Sequence, residues 1–438
     1  MFRSLSTSTA RRVALALLAT GTVVLAGCGD DDNDIDNDVS VVSGRVAGGA
    51  GNTAPTGAIE GATVTLARID ASGNLMTVSD QSVTTDAQGN FRLETDLDNV
   101  RYLVVVADKG GTHLEAVVPG AVQNGQEINS PPLTTETTVE AQVWKGIVAD
   151  NRASTVVYAD VAAYVSAGLA GNVAGNPATI ETVTTAIEAE ADARNAALAN
   201  SAFDLTASER TAINQARTTA LVNFVDDVAA ADTQAELDAA WQDWYTADAQ
   251  AYLSNGLSLD QALQLAEISS RAYVNSVGTL NTATELSALR GAALTRAALL
   301  QRAVLEAFTD AGTSNSDRTL VATAGTTLVT NINNAGNEAA IAAAFDTYHD
   351  TLLTRLQAIY PARATAIATG DAAIYAVPGP RATLTTAVAT STDPNVIVPA
   401  YITYFDTVET SLATALTGST STELDLFTRV LLNASMTT

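Results

Sequence analysis

The chain has 438 residues, 47% of them hydrophobic and only 16% charged, with a formal net charge of −26. That acidity repels nucleic acid and anionic lipid surfaces, while leaving cationic partners or divalent ions open and serving solubility. The length allows two or three domains, and a charged fraction below the usual ~25% leaves the polar surface to Thr, Ser, Asn and Gln.

Residues 13–25 form an apolar run behind Arg3, Arg11 and Arg12 and lead into Leu25-Ala26-Gly27-Cys28. The run fits the ~7–15-residue core of an export signal and falls short of the ~18–20 residues that span a membrane. Cys28 is the only cysteine, so no intrachain disulfide can form. The pattern Leu25, Ala26, Gly27, Cys28 resembles the lipobox of bacterial lipoproteins. That resemblance implies diacylation of the Cys28 thiol, cleavage before it, loss of residues 1–27 as a signal peptide, and membrane lipid as a partner. Loss of the leader removes three arginines and no acid, taking the net charge from −26 to −29. Each buried CH₂ contributes about 0.8 kcal/mol, so two or three acyl chains hold stably where one does not. Gly29 after the cysteine resembles the sorting pattern for the outer membrane, with the periplasmic or surface face left open.

Residues 28–38 then form an acidic tether that repels itself and extends. Asp30, Asp32, Asp34, Asp36 and Asp38 alternate as calcium ligands can, but the EF-hand pattern needs Gly at its sixth position and Glu at its twelfth. From Asp30 those positions hold Ile35 and Val41. Weak, non-specific cation binding is the most this supports, and no metal site or cofactor is expected.

Residues 39–135 are rich in Val, Thr and Gly, with β-patterned runs at 39–46, 62–69, 76–85, 90–94, 101–107 and 113–118. Their spacing predicts an antiparallel β-sandwich. Two breaks share Asp-x-x-Gly-Asn, at Asp70 to Asn74 and Asp86 to Asn90, where Asp bonds forward to the backbone and Gly takes the left-handed position. The order Ser43-Gly44-Arg45-Val46, Ile59-Glu60-Gly61-Ala62-Thr63-Val64, Thr85-Asp86-Ala87-Gln88-Gly89-Asn90-Phe91, then Tyr102 to Val106 resembles the carboxypeptidase regulatory-like, transthyretin-like fold. This implies a spacer or adhesion module without catalytic residues of its own. Pro132-Leu133-Thr134-Thr135 resembles the junction that leads such modules into helices, and residues 136–149 are read as a linker.

Residues 150–438 predict an all-α bundle. Capping boxes stand at Thr206/Glu209, Thr233/Glu236, Ser258/Gln261, Thr282/Glu285 and Thr420/Glu423, Asn176 before Pro177 marks a further start, and Gly256, Gly278, Gly312, Gly336 and Gly418 mark ends. Ser208-Glu-Arg-Thr211 returns as Ser316-Asp-Arg-Thr319, Tyr164 as Tyr273, Ala202-Phe203 as Ala307-Phe308, and Trp241 and Trp244 as Phe345 and Tyr348. These echoes predict an internal duplication, with units at about 150–256 and 257–360. A partial third, 361–438, is suggested by Phe405-Asp406-Thr407 echoing Phe345-Asp346-Thr347.

Catalytic motifs are scarce. With only His113 and His349, no His-x-x-x-His zinc pair exists, and there is no free cysteine nucleophile, Gly-x-Ser-x-Gly elbow or P-loop. His349 is read as a solvated helix-edge residue. Trp241, Trp244 and Tyr245, with Tyr252, suit either core packing or a stacking surface for a sugar or peptide. The expectation is a non-enzymatic, outer-membrane-anchored lipoprotein with a binding or structural role and an unidentified protein or glycan partner. The alternative is an extracytoplasmic enzyme acting on glycans through a carboxylate pair that sequence does not single out.

Overall fold

Alternation along the strands divides the side chains of the N-terminal region between two faces, one of which is buried in the smaller sheet and both in the larger. The computed structural model describes residues 39–48, 57–278, 282–388, 391 and 393–434. One sheet holds β1 (Ser40–Arg45), β5 (Asn90–Thr95) and β10 (Glu127–Asn129). The other holds β2 (Thr63–Ile69), β3 (Leu75–Thr77), β4 (Val83–Thr84), β7 (Leu103–Lys109) and β8 (Thr112–Val117). A short ribbon pairs β6 (Val100–Arg101) with β9 (Ala121–Val122). The pairings are antiparallel except β1 with β10, which run parallel, a departure from the all-antiparallel expectation. Val42, Val64, Leu66, Leu93, Leu103, Val105 and Ala116 make one core common to the two larger sheets. The opposite face of the second sheet, with Ala67, Val104, Val106 and Val117, packs on helices instead. This explains why 103–107 is an unbroken apolar run: a strand covered on both faces has no polar side to show.

The two Asp-x-x-Gly-Asn turns form as expected. Asp70 Oδ1 accepts the amides of Ser72 and Asn74 at 2.8 and 2.9 Å, and Asp86 Oδ1 accepts those of Gln88 and Asn90 at 2.9 and 2.8 Å. These backbone bonds hold both carboxyls below the usual range. Gly89, at φ +78°, lies so close to the Val46 carbonyl that a Cβ there would come within 2.4 Å of its oxygen.

Residues 136–149, read as a linker, belong instead to helix α1 (Thr135–Ala149), capped by a Thr134/Thr137 box. Val139, Val143, Trp144 and Ile147 fall on one face at helical spacing and are buried against the second sheet and the bundle. The apolar cluster is therefore continuous across the expected junction.

The remaining helices begin with α2 (Tyr158–Tyr164), α3 (Ala167–Val173), α4 (Pro177–Leu198), α5 (Ala207–Ala230) and α6 (Gln234–Ser254). Then follow α7 (Leu259–Val277), α8 (Thr282–Asp310), α9 (Asn315–Asn334) and α10 (Glu338–Ile359). The last are α11 (Ala364–Tyr375), α12 (Pro380–Val388), α13 (Pro394–Ala415) and α14 (Ser421–Ala434). Capping boxes at Thr206/Glu209, Thr233/Glu236 and Ser258/Gln261 form, and Thr420 and Glu423 exchange the same two bonds. The Thr282/Glu285 box lies outside the described side chains. Helix α4 packs on α1 and α7, α7 on α8, and α8 on α9 and α14, so α7 and α8 run through the middle of the bundle. Among the described residues no helix is long and apolar enough to cross a membrane.

Candidate functional site

Helix α6 places Trp241, Trp244, Tyr245, Asp248 and Tyr252 within three turns, and its neighbours decide what each does. Trp244 is 3% exposed and stacks on Phe224 of α5 with ring centroids 5.0 Å apart. Trp241, 4.6 Å from the same Phe224, and Tyr245, 5.3 Å from Trp244, are only half-buried. Tyr252 is buried. The aromatic set thus divides: Trp244 and Tyr252 are core, whereas Trp241 and Tyr245 reach a pocket of about 200 Å³ between α2, α6 and α8. Arg290, Asn333 and Ser166 add polar groups to that pocket.

Tyr245 also lines a second, narrow cavity of about 40 Å³ with Tyr164, Glu190, Arg217, Asp248 and Ser269. Here lies a buried ionic cluster that the sequence reading missed. Arg194 of α4 grips Asp160 of α2 through two bonds, Nη1 to Oδ1 at 2.5 Å and Nη2 to Oδ2 at 2.8 Å, and reaches Glu190 at 2.9 and 3.0 Å. Arg217 of α5 donates from Nη1 to Asp160 Oδ1 at 2.7 Å and from Nε to Asp248 Oδ1 at 2.8 Å. Its guanidinium sits 5.5 Å from the Tyr252 ring centre. Four helices are tied together by charges with almost no access to water. Burial raises the Asp160 carboxyl, but Arg194 and Arg217 outweigh it and hold the group below its ordinary range. For Glu190 burial prevails over Arg194 and pushes the carboxyl up to about 7. The signal was present in the sequence: Arg217 stands in the apolar stripe of α5 between Ile213 and Leu221, and Glu190 lies one turn before Arg194.

Two further polar groups are buried nearby. Glu140 of α1 accepts from the Tyr158 hydroxyl at 2.9 Å, and burial, with the charge of Glu136 one turn away, raises it well above the usual range. Glu267 of α7 bonds Arg271 at 3.0 Å and Arg296 at 3.1 Å, and Arg296 lies over Phe345 at 5.0 Å.

His349 corrects the expectation of a solvated helix edge. It is buried, its Nε2 is 2.7 Å from Asp371 Oδ1, and its ring lies 5.3 Å from that of Tyr375, because α11 covers the flank that a lone amphipathic helix would leave wet. His113 is on β8, between Asp108 at 2.8 Å and Glu115 at 3.0 Å. Glu115 in turn takes Lys145 at 2.7 Å, tying β8 to α1. Leu25, Ala26, Gly27, Cys28 and the aspartates at 30, 32, 34, 36 and 38 lie outside the described residues. Among those described, no group of three or more His, Asp or Glu is placed to hold a metal ion.

Compared with known protein families, curated proteins and solved structures, the chain matches none.

Proposed function

We propose that this chain is a lipid-anchored protein of the bacterial outer membrane, held through acylated Cys28, whose folded body has a binding role and no catalytic one. The observation that carries this reading is the solitary cysteine at the end of an apolar run behind three arginines. The ionic cluster favours binding over glycan hydrolysis. Glu190 and Asp248 converge on one cavity, yet each is held by an arginine, and about 40 Å³ is far below the ~300 Å³ at which small-molecule sites begin. Such a cavity has room for a water or two, not a sugar ring.

The two larger sheets are read as a β-sandwich of the carboxypeptidase regulatory-like kind, supported by their common core. The helices are read as a duplicated unit with a partial third. Burial supports this: Ile213, Ala220 and Phe224 of α5 correspond to Val321, Leu328 and Ile332 of α9, all buried. Leu237, Ala240, Trp244 and Tyr252 of α6 correspond to Ile341, Ala344, Tyr348 and Leu356 of α10, again all buried. The copies part where the first holds its charges, with Arg217 against Gly325 and Asp248 against Leu352, and at half-buried Trp241 against buried Phe345.

The test is Cys28→Ser with fatty-acid labelling and membrane fractionation. The variant should lose label and leave the membrane fraction. Membrane retention of an unlabelled variant would sink the anchoring.

A further inference from the structure

The pocket of about 200 Å³ between α2, α6 and α8 is lined by aromatic, cationic and neutral polar side chains together. Trp241 and Tyr245 bring half-buried aromatic faces. Arg290 brings a cation that forms no ion pair among the described residues. Its Nη2 donates to the Ala335 carbonyl, which fixes the guanidinium, while its buried Nε has no hydrogen-bond partner. A fixed guanidinium without an ion-pair partner among the described residues leaves its charge to a ligand carboxylate. The floor is built from small residues. Gly291 brings α8 against the Ala163 carbonyl, where a Cβ would stand 3.2 Å from the oxygen.

The geometry points to a binding site for a carboxylate-bearing sugar residue, a uronic acid, with its ring on the Trp241 face and its carboxylate on Arg290. Three observations choose this class. The volume lies below the ~300 Å³ of pockets for drug-sized ligands, which suits one ring and excludes an oligosaccharide bound along its length. Aromatic faces take the apolar side of a sugar ring, and a guanidinium offers planar, paired donors to a carboxylate. Ser166 and Asn333 are placed on the same pocket for ring hydroxyls. A free uronic acid and the terminal unit of an acidic polysaccharide present the same chemistry at Arg290, and the net charge of −26 opposes the polymer more than the free acid. This inference rests on the binding role proposed above, though not on attachment through Cys28.

The experiment titrates the full chain, purified in detergent, with glucuronate, glucose, acetate and a short acidic peptide, following tryptophan fluorescence. Saturable quenching by glucuronate is expected, with glucose weaker by about ten- to a hundredfold, the range for one charged hydrogen-bonded contact. Arg290→Gln should bring glucuronate down to the glucose level while leaving glucose unchanged. Trp241→Phe, which keeps an aromatic packing against Phe224, should weaken both sugars. A capped trisaccharide of glucuronate that binds as the monosaccharide does identifies a polysaccharide terminus as source, and one that fails to bind identifies the free acid. Equal binding of acetate or the peptide, or glucuronate binding untouched by Arg290→Gln, overturns the proposal. A Cys28→Ser chain that binds glucuronate but leaves the membrane supports both readings. One that binds and remains membrane-bound without label defeats only the anchoring.

Discussion

Replacing Arg194 by Met probes the ionic cluster with little change in side-chain volume. Arg194 is 1% exposed and supplies both bonds of the Asp160 pair and both bonds to Glu190. Without it Asp160 keeps Arg217, but Glu190 loses the only cation bonded to it among the described residues. Removing one partner of a buried ion pair costs about 3–5 kcal/mol, because the charge left behind is neither hydrated nor paired. The loss should also depend on pH. Glu190 has its folded pKa raised to about 7 from an ordinary 4.5, so the native state binds its proton more tightly than the unfolded chain does. Its contribution is fully present below about pH 4.5 and is lost as pH rises through about 7. The Arg194→Met substitution would push Glu190 higher still, and each further pKa unit costs about 1.4 kcal/mol above that range. Urea unfolding followed by circular dichroism and tryptophan fluorescence at pH 5 and pH 8 should therefore show a larger deficit at pH 8. A deficit below about 1 kcal/mol, or one equal at both pH values with an unchanged m, would refute the view that this cluster is buried and charged.

Trp244→Ala should cost about 3–5 kcal/mol in chemical denaturation, as truncation of a core aromatic does, and Trp241→Ala clearly less because its ring is half-buried; the reverse order would mean that the pocket is misplaced. Gly89→Ala should lower stability by more than the ~1–2 kcal/mol of a left-handed alanine, since its Cβ also meets the Val46 carbonyl, whereas Gly110→Ala, with open space around it, should pay only the backbone cost. A fragment of residues 39–135 bares Ala67, Val104, Val106 and Val117, so its thermal unfolding should be less cooperative than that of a fragment retaining α1; equal behaviour would show that the helix is dispensable to the sheet.

Local chemistry was the legible part of this fold. The Asp70 and Asp86 turns and four helix caps were written in short motifs whose bonds close within four residues. What sequence hid depends on which element covers which. Residues 136–149 looked like a linker because Thr and Glu crowd the start of α1, and Thr137, Thr138 and Glu140 are buried only because a sheet and a bundle close over both sides. The partner of β1 on its parallel edge comes from residues 127–129, too short a run to show a period. The aromatic set of α6 was visible, but its division into core Trp244 and pocket-facing Trp241 was not, since helical spacing gives a direction and not the depth of the neighbour. Arg217 and Arg194 were legible as anomalies on apolar stripes; their shared partner Asp160, 34 and 57 residues away, was not.

The most direct measurement is mass spectrometry of the N-terminal peptide of the protein taken from its native membrane. A peptide that begins at Cys28 and carries a diacylglycerol on the thiol, with or without an acyl group on the amine, is the result expected. A peptide that runs through residues 1–27, or one that begins beyond a cleavage site elsewhere with an unmodified Cys28, would contradict the lipid anchor.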